Sequence, residues 1–317
     1  MNDLRFGIHA GQQNADFESY LELWRSAEEV GLDWASVFDH FMPIQADPTG
    51  PCFEGMTLLA AMAAHTERLR CGIIVTGVTY RHPAVLANMA VTIDHISGGR
   101  LELGIGAAWY GLEHEQYGVP MPRLGIRFDM LDEQARILKL LWSQERSNYQ
   151  GAHFTLTDAM CEPGPLQPTI PLWVGGSGEK RTLRVVAESG DGWNTFLMPE
   201  EDFDRKLAAL AGHCADFGRD PAEIRIGLVV RTVLRESEKE AREAANELAR
   251  RMNTDPAAIW NQDAIVGTPE MFAERLEPMR RRGVGDFLMM SRPPGDRQTM
   301  EALAREVAPE MRRLAAV

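Results

Sequence analysis

Short apolar runs alternate with amphipathic stretches along most of the chain. Runs of four to eight apolar or β-branched residues predict buried strands, and apolar residues spaced about 3.6 positions apart predict helices with one buried face. The segment from Phe17 to Val30, for example, places Tyr20, Leu21 and Trp24 on one helical face. By this pattern eight strands are predicted, at residues 5–10, 33–39, 70–76, 101–106, 172–175, 192–196, 224–234 and 287–291.

Helices are predicted between and after these strands, at residues 17–30, 57–67, 83–96, 123–142, 179–189, 200–217, 237–252, 269–282 and 297–314. Strict alternation of this kind predicts an α/β protein, a (β/α)8 TIM barrel formed as a single domain over residues 1–317. A doubly wound open sheet is the competing fold. The count of eight strands and the lack of a GxGxxG motif at the first helix disfavour it.

Two segments depart from the alternation. Residues 148–171 contain four prolines and predict an insertion, in which residues 152–157 could form a small hairpin strand. Residues 237–282 predict extra helices, the first of them rich in charge and expected to present a solvated face. The insertion at residues 148–171 and the loop from Pro43 to Phe53 are expected to shape specificity.

The composition narrows the class of partner. The chain has 33 Lys and Arg against 46 Asp and Glu, a net charge of −13, which disfavours nucleic acid and anionic membranes as partners. Its four cysteines show no CxxC spacing and its histidines no HxxxH spacing, so we expect neither a disulfide framework nor a metal site. Without a signal-peptide pattern or a long apolar run, the sequence predicts a cytoplasmic location.

The ends of the predicted strands carry the candidate chemistry, because barrel active sites lie at the C-terminal ends of strands. His9 ends the first strand and Asp39-His40 follow the second, within SVFDHFMPI. The third to fifth strands are followed by small or polar residues: Thr76, Gly77 and Val78; Gly104, Gly106, Ala107, Ala108, Trp109 and Tyr110; and Gly175, Gly176, Ser177 and Gly178.

These residue types suggest roles. A histidine suits proton transfer near neutral pH, so His40 is the candidate acid or base, with Asp39 either orienting it or binding loop amides. Taken alone, however, the pair reads as a structural part of a loop. His9 could line the pocket beside His40, and His82, just before Pro83, is expected to cap or pack. Gly175 to Gly178 precede a helix predicted to begin near residue 179, where N–H groups could bind an anion; a plain strand-to-helix turn is the alternative.

Together these segments resemble the bacterial luciferase-like flavin monooxygenase superfamily. The carrying stretches are SVFDHF at 36–41, IIVTGVTYRHPAVLANMAVTIDHISGGRLELGIGAAWY at 73–110 and IPLWVGGSGEKRTLRVVAESGDGWN at 170–194. The residues of these stretches are most similar to those of the branch that uses the deazaflavin coenzyme F420. The resemblance implies an oxidoreductase that moves a hydride between F420 and a small organic substrate, often as a homodimer, with a separate reductase for the coenzyme.

The resemblance also implies roles for residues. The coenzyme would lie in the barrel mouth against Asp39 and against Thr76 to Val78, where a cis peptide bond is expected between Gly77 and Val78. Its phosphate side would meet Gly106, Ala107 and Ala108, and Gly175 to Gly178. The sugar-phosphate dehydrogenase of the branch has tryptophan at the position of Ile44 and glutamate at that of Ala107. The two differences argue against glucose-6-phosphate, and His9, Ile44, Trp109 and Tyr110 are predicted to contact another substrate.

Two other functions remain open. One is an FMN-dependent monooxygenase that uses reduced flavin and oxygen on nearly the same barrel. The other is a non-catalytic flavin-binding barrel, which would keep the glycine-rich strand ends but would not need His40.

Overall fold

The computed structural model describes residues 3–45, 47–252, 254–261 and 263–315. Eleven strands are found in this part of the chain: β1 Arg5–His9, β2 Trp34–Val37, β3 Arg70–Gly77, β4 Leu101–Gly106, β5 Ser147–Gln150, β6 Thr155–Ala159, β7 Leu172–Gly175, β8 Gly192–Phe196, β9 Arg225–Leu234, β10 Ala264–Gly267 and β11 Val284–Met290. The helices are α1 Phe17–Val30, α2 Gly55–His65, α3 Pro83–Ser97, α4 Gly111–Tyr117, α5 Leu124–Ser143, α6 Thr182–Ser189, α7 Glu200–Asp216, α8 Glu238–Arg251, α9 Pro256–Ile259, α10 Pro269–Arg281, α11 Arg297–Ala302 and α12 Ala308–Ala315. A 3-10 turn, Pro221–Glu223, precedes β9, and a π-helical turn, Leu303–Val307, joins α11 to α12.

Eight parallel strands close into the predicted barrel. The order is β1-β2-β3-β4-β7-β8-β9-β11, and β11 pairs with β1 to complete the ring. The (β/α)8 prediction is therefore confirmed. The sequence pattern did not predict β10. This strand lies outside the ring and pairs with the C-terminal part of β9, from Arg231 to Leu234.

The insertion between α5 and β7 forms an antiparallel hairpin of β5 and β6. The hairpin strand predicted at residues 152–157 forms later, at Thr155–Ala159, because residues 152–154 form the turn. There the Glu133 carboxylate accepts hydrogen bonds from the N–H groups of Ala152 at 2.7 Å and Phe154 at 3.0 Å. A carboxylate on α5 thus fixes the turn, which local periodicity could not show.

Helix ends follow their sequence signals. Asp16 accepts a hydrogen bond from the Ser19 N–H at 2.9 Å and begins α1, which ends at Gly31 with φ of 89°. His82 caps α3 through Nδ1, which accepts from the Ala84 N–H at 3.2 Å, as predicted. Within the described ranges, no helix combines the length and apolar character that crossing a membrane would require.

The inside of the barrel has its own apolar layer, separate from the core between strands and helices. Trp34 and Trp173 stack at 5.6 Å between ring centroids, and Ile74, Val229 and Leu288 pack against them. These side chains fill the barrel interior at the level of the two tryptophans. The barrel is therefore closed below them and open only at the C-terminal ends of its strands, a shape that we call the cup.

A buried ion cluster, formed by Arg5, Arg70, Glu102, Arg225 and Asp286, lies beneath these tryptophans. Arg5 donates to Asp286 at 2.5 Å and to Glu102 at 2.6 Å, and Arg225 donates to Asp286 at 2.8 Å. Burial disfavours charge on Arg5, but Glu102 and Asp286 outweigh it and raise the pKa of the guanidinium. The cluster therefore joins β1, β3, β4, β9 and β11 through charged groups at the closed end of the cup.

Candidate active site

The predicted site residues gather at the open end of the barrel, which we call the mouth. His9 ends β1, Asp39 and His40 follow β2, and the other strand ends are those of β3, β4 and β7. Trp109 and Tyr110 flank His40, with ring centroids 5.7 and 5.9 Å from its imidazole. Residues from the ends of five strands thus share one face.

His40 is oriented by Glu113, a residue that sequence reasoning missed. The distance from His40 Nδ1 to Glu113 Oε2 is 3.0 Å, and both side chains are buried. Against an ionised carboxylate Nδ1 carries the hydrogen, so Nε2 is the ring atom left to accept or donate a proton. Nε2 makes no hydrogen bond within the described part of the chain.

Glu113 is itself held by several donors. The Tyr80 hydroxyl and the N–H groups of Phe41, at 2.5 Å, and Met42, at 3.2 Å, all donate to its carboxylate. Burial works to raise the pKa of Glu113, but the hydrogen bonds from His40, Tyr80 and Phe41 outweigh it, and the pKa falls below its ordinary value. The carboxylate that faces His40 is therefore ionised at neutral pH.

Asp39 belongs to a different network from His40. Its Oδ2 accepts from Arg81 Nη1 at 2.6 Å and from the Gly77 N–H at 3.0 Å, and Arg81 also contacts Glu54. Asp39 makes no hydrogen bond to the His40 ring among the described residues, and the backbone N–H that it binds is that of Gly77, the last residue of β3. Asp39 thereby fixes the end of β3, the strand end predicted to meet the coenzyme.

His9 lies at the mouth with an uncharged ring. Its Nδ1 is 2.9 Å from Ser36 Oγ, and burial lowers the pKa of the imidazole to about 4. Its side chain is 8% exposed, so His9 can contribute only a small part of a pocket wall.

The end of β3 carries a bulge around Val75. The register between β3 and β4 shifts between Ile73 and Thr76, and the cis peptide bond joins Ile74 to Val75. The prediction of a cis bond between Gly77 and Val78 was wrong, because the irregularity lies inside β3, which continues in register to Gly77 opposite Gly106.

Three glycines surround the Val75 side chain. A Cβ atom would approach it to 2.7 Å at Gly104, 2.6 Å at Gly106 and 2.7 Å at Gly175. These glycines are therefore required by packing within the protein, whereas the sequence suggested that their purpose was close approach of a ligand. Val75, half-buried, stands between them at the floor of the mouth.

The strand ends predicted to meet phosphate lie beside a buried arginine. Arg127 Nη1 donates to the carbonyls of Ala108 at 2.6 Å and Ala107 at 3.2 Å, while its Nε is buried without a partner among the described residues. The helix after β7 begins at Thr182, not near residue 179, so Gly176 to Gly178 form a loop before it, and the Gly178 carbonyl accepts from the Leu183 N–H at 3.1 Å. Ser177 and Gly178 in this loop are exposed.

The missed partners of the predicted residues are Glu113, Tyr80 and Arg81. Glu113 lies in α4, a seven-residue helix that is too short for a periodic signal. One signal was available, an acidic residue in the GLEHEQYG stretch just after the fourth strand end, where barrel chemistry is expected. Metal-ligand clusters are absent from the ranges that the structure describes.

Comparisons with known proteins agree with this architecture. The sequence profile of the luciferase-like monooxygenase family matches residues 3–286. An F420-dependent glucose-6-phosphate dehydrogenase of Microbacterium testaceum is 32% identical over 219 residues, which cover 68% of this chain and 64% of that enzyme. The chain spans less than two thirds of the length of such curated relatives.

Solved structures share the fold across nearly the whole chain. A monooxygenase from Streptomyces bottropensis superimposes with a TM-score of 0.81 at 23% identity, covering 97% of this chain and 99% of its own. An F420-dependent secondary alcohol dehydrogenase, in complex with an F420-acetone adduct, also gives a TM-score of 0.81, at 21% identity, covering 98% and 99%. Since the family profile matches most of its length, the chain belongs to the luciferase-like monooxygenase family.

Proposed function

We propose that this protein is an F420-dependent oxidoreductase that transfers a hydride between the coenzyme and a small organic substrate. The observation that carries the proposal is the His40 imidazole, oriented by the buried Glu113 carboxylate and opening on the mouth of the barrel. The relatives named as F420-dependent dehydrogenases support the choice of coenzyme.

The residues at the mouth fit such a coenzyme. Val75, packed between glycines, offers an apolar surface to a planar ring, and the end of β3 that Asp39 holds would meet the edge of the ring. Arg127 Nε, which has no partner among the residues that the structure describes, lies beside Ala107 and Ala108 and suits the anionic part of the coenzyme. The exposed loop of Gly175 to Gly178 would bind at the same side.

When bound, the deazaflavin supplies hydride chemistry at its C5, and the protein supplies orientation and proton handling. His40 Nε2 gives or takes the proton that accompanies the hydride on the substrate. Glu113 holds the ring in one orientation through its bond to Nδ1. Trp109 and Tyr110 form an aromatic wall beside His40 that limits access of water.

The substrate is proposed to differ from glucose-6-phosphate. Ile44, half-buried, uses its N–H to bind Gln13 Oε1 at 2.8 Å, and Ala107 offers only a carbonyl, already bound by Arg127. Neither side chain can form a hydrogen bond to a sugar hydroxyl. With Trp109 63% exposed at the mouth, the wall favours a less polar molecule.

An FMN-dependent monooxygenase is the second candidate, favoured by the family to which the chain belongs and by monooxygenases among the structures that share its fold. In either case we propose a homodimer served by a separate reductase. Large exposed apolar side chains such as Leu112, Tyr117 and Leu124 would suit a subunit interface.

Coenzyme titration separates the two candidates. The purified protein would be titrated with F420 and with FMN, followed by coenzyme fluorescence, and we expect F420 to bind at least about tenfold tighter. Turnover would then be screened with reduced F420 against enones, imines and alcohols. Preference for FMN would reject the first candidate, and binding without turnover of any substrate would favour a non-catalytic barrel.

Two substitutions test the proton-handling pair in the same assay. His40→Ala should keep F420 affinity and lose turnover by roughly 10²- to 10⁴-fold. Glu113→Gln should lose roughly 10- to 100-fold and shift the pH profile of turnover, because the ring loses its orienting charge. His153→Ala, on the exposed hairpin turn, is the control; near-normal turnover in His40→Ala would remove the assigned role.

A further inference from the structure

A cavity of about 260 Å³ lies at the mouth beside the ends of β9 and β11. Helices α8 and α9 cover it. Leu248 of α8, Met252 just after α8 and Ile259 of α9 give it an apolar roof, with Trp260 after α9. Its floor includes Met289 and Met290 of β11. The volume is near the lower end of the range typical of small-molecule pockets.

The cavity is adjacent to the candidate active site. Met290 pairs in register with His9, and the Ser291 N–H donates to the His9 carbonyl at 2.8 Å. Gln45, one residue after Ile44, also lines it. The cavity and His9 are therefore neighbours at the same end of the barrel.

Two arginines in this apolar lining have no acidic partner among the residues described. Arg292 is half-buried, donates to Gln45 Oε1 at 2.9 Å, and has its pKa lowered by burial. Arg231, at the end of β9, is half-buried and forms no salt bridge in the described ranges. The seven residues outside those ranges include no Asp or Glu side chain.

The other polar groups that line the cavity do not provide a negative charge for the two arginines. Asp296 lines it, but its Oδ2 already accepts from Arg235 at 3.0 Å and from Thr299 Oγ1 at 2.6 Å. Ser291 is 7% exposed, and its Oγ is buried with no partner in the described part of the chain. Half-buried guanidinium groups without a countercharge and a buried hydroxyl without a partner are both costly, and an anion would satisfy both.

We propose that this cavity binds the substrate of the enzyme as an apolar organic anion, with Arg231, Arg292 and Ser291 holding its carboxylate or phosphate group under α8 and α9. The inference deepens the proposed function, and it rests on that function in identifying the bound molecule as the substrate. The apolar roof would hold the body of the molecule, and the arginines would fix its anionic end away from His40. The reacting carbon would then face the mouth.

The test measures binding without coenzyme, so its result does not depend on the identity of the coenzyme. Isothermal titration would compare 3-phenylpropanoate, 2-phenylethyl phosphate and the uncharged 3-phenylpropanamide on the wild-type protein. We expect one or both anions to bind roughly tenfold to a hundredfold tighter than the amide, the loss typical of a missing charge-assisted hydrogen bond. Which anion binds tighter identifies the anionic group.

Variants locate the binding. Arg292→Met and Arg231→Met should each remove most of the preference for the anion, and Arg292→Lys should retain part of it. Arg251→Met is the matched control, since Arg251 lies on the outer face of α8, 74% exposed and paired with Glu247. Equal affinity for amide and anions, no binding of any of the three, or equal loss in the control would overturn the proposal. Coenzyme titration on the same variants tests the proposed function separately.

Discussion

His9 and His40 lie at the same mouth, yet their rings meet different surroundings. His40 Nδ1 faces the Glu113 carboxylate, whereas His9 Nδ1 has only the Ser36 hydroxyl for a partner. Burial without a countercharge makes His9 a neutral residue of the wall. One mouth thus contains one histidine equipped for proton transfer and one whose charge the fold disfavours.

His9 should make stability fall as the pH is lowered. Its folded pKa of about 4 lies below the ordinary value of roughly 6.5, so the unfolded chain binds the proton first as the pH falls from about 6.5 toward 4. Between pH 7 and pH 5 this single residue should remove about 2 kcal/mol of the free energy of unfolding. Urea unfolding at the two pH values measures it.

The comparison uses His9→Gln. This variant should reduce the difference in the free energy of unfolding between pH 7 and pH 5 by about 2 kcal/mol. Any effect of the substitution on packing should shift the free energy at both pH values equally. His153→Gln, exposed on the hairpin turn, should leave the difference as in the wild type. If His9→Gln also leaves this pH difference unchanged, the assignment of a neutral, buried His9 ring is wrong.

Strands β3, β4 and β7 meet at Val75, and the packing there is a property of the three elements together. Each neighbouring strand contributes a glycine because any side chain would collide with Val75. A change in one strand end therefore moves the surface that another presents to the coenzyme.

Gly106→Ala should displace Val75. The new Cβ would lie 2.6 Å from Val75 Cγ2, closer than any relaxed contact, so we expect a loss of stability of about 1–3 kcal/mol and weaker coenzyme binding. Thermal unfolding and coenzyme titration measure the two effects. Gly212→Ala in α7, where a Cβ meets nothing within 4 Å, should gain up to about 1 kcal/mol and bind normally. Unaltered binding in Gly106→Ala would separate Val75 from the coenzyme site.

Elements with strong local signals could be predicted from the sequence, and the rest depended on distant residues. The limits of α1 match the prediction because an N-cap aspartate and a terminal glycine fix them. The strand β10 was missed because four residues give no period, and its pairing with β9 decides it. At the site, His40 could be predicted from its place after a strand. Its partner Glu113 could not, since 73 positions separate them and only the closed barrel brings them together.

At the scale of the whole molecule, the buried ion cluster closes the barrel at the end opposite the site. Asp286 of β11 is fully buried between Arg5 of β1 and Arg225 of β9. The group that neutralises these arginines is thus also the one that joins the last strand of the ring to its two neighbours.

Asp286→Asn should be strongly destabilising. It leaves two arginines at the barrel floor without their shared carboxylate, and breaking one partner of a buried pair costs about 3–5 kcal/mol. Urea unfolding measures the loss. The matched control is Asp204→Asn, which removes a surface pair with Arg282 and should cost about 1 kcal/mol or less. Similar losses in both variants would show that burial of the cluster adds nothing.

The contact between Arg5 and Asp286 also sets an order of events during synthesis. The two residues are 281 positions apart, so β1 leaves the ribosome long before the strand that completes its hydrogen bonding exists. Until β11 emerges, the sheet has two open edges and an uncovered apolar interior, features that favour aggregation and chaperone binding. The barrel of this protein can therefore close only after the chain has been made through Met290, the last residue of β11.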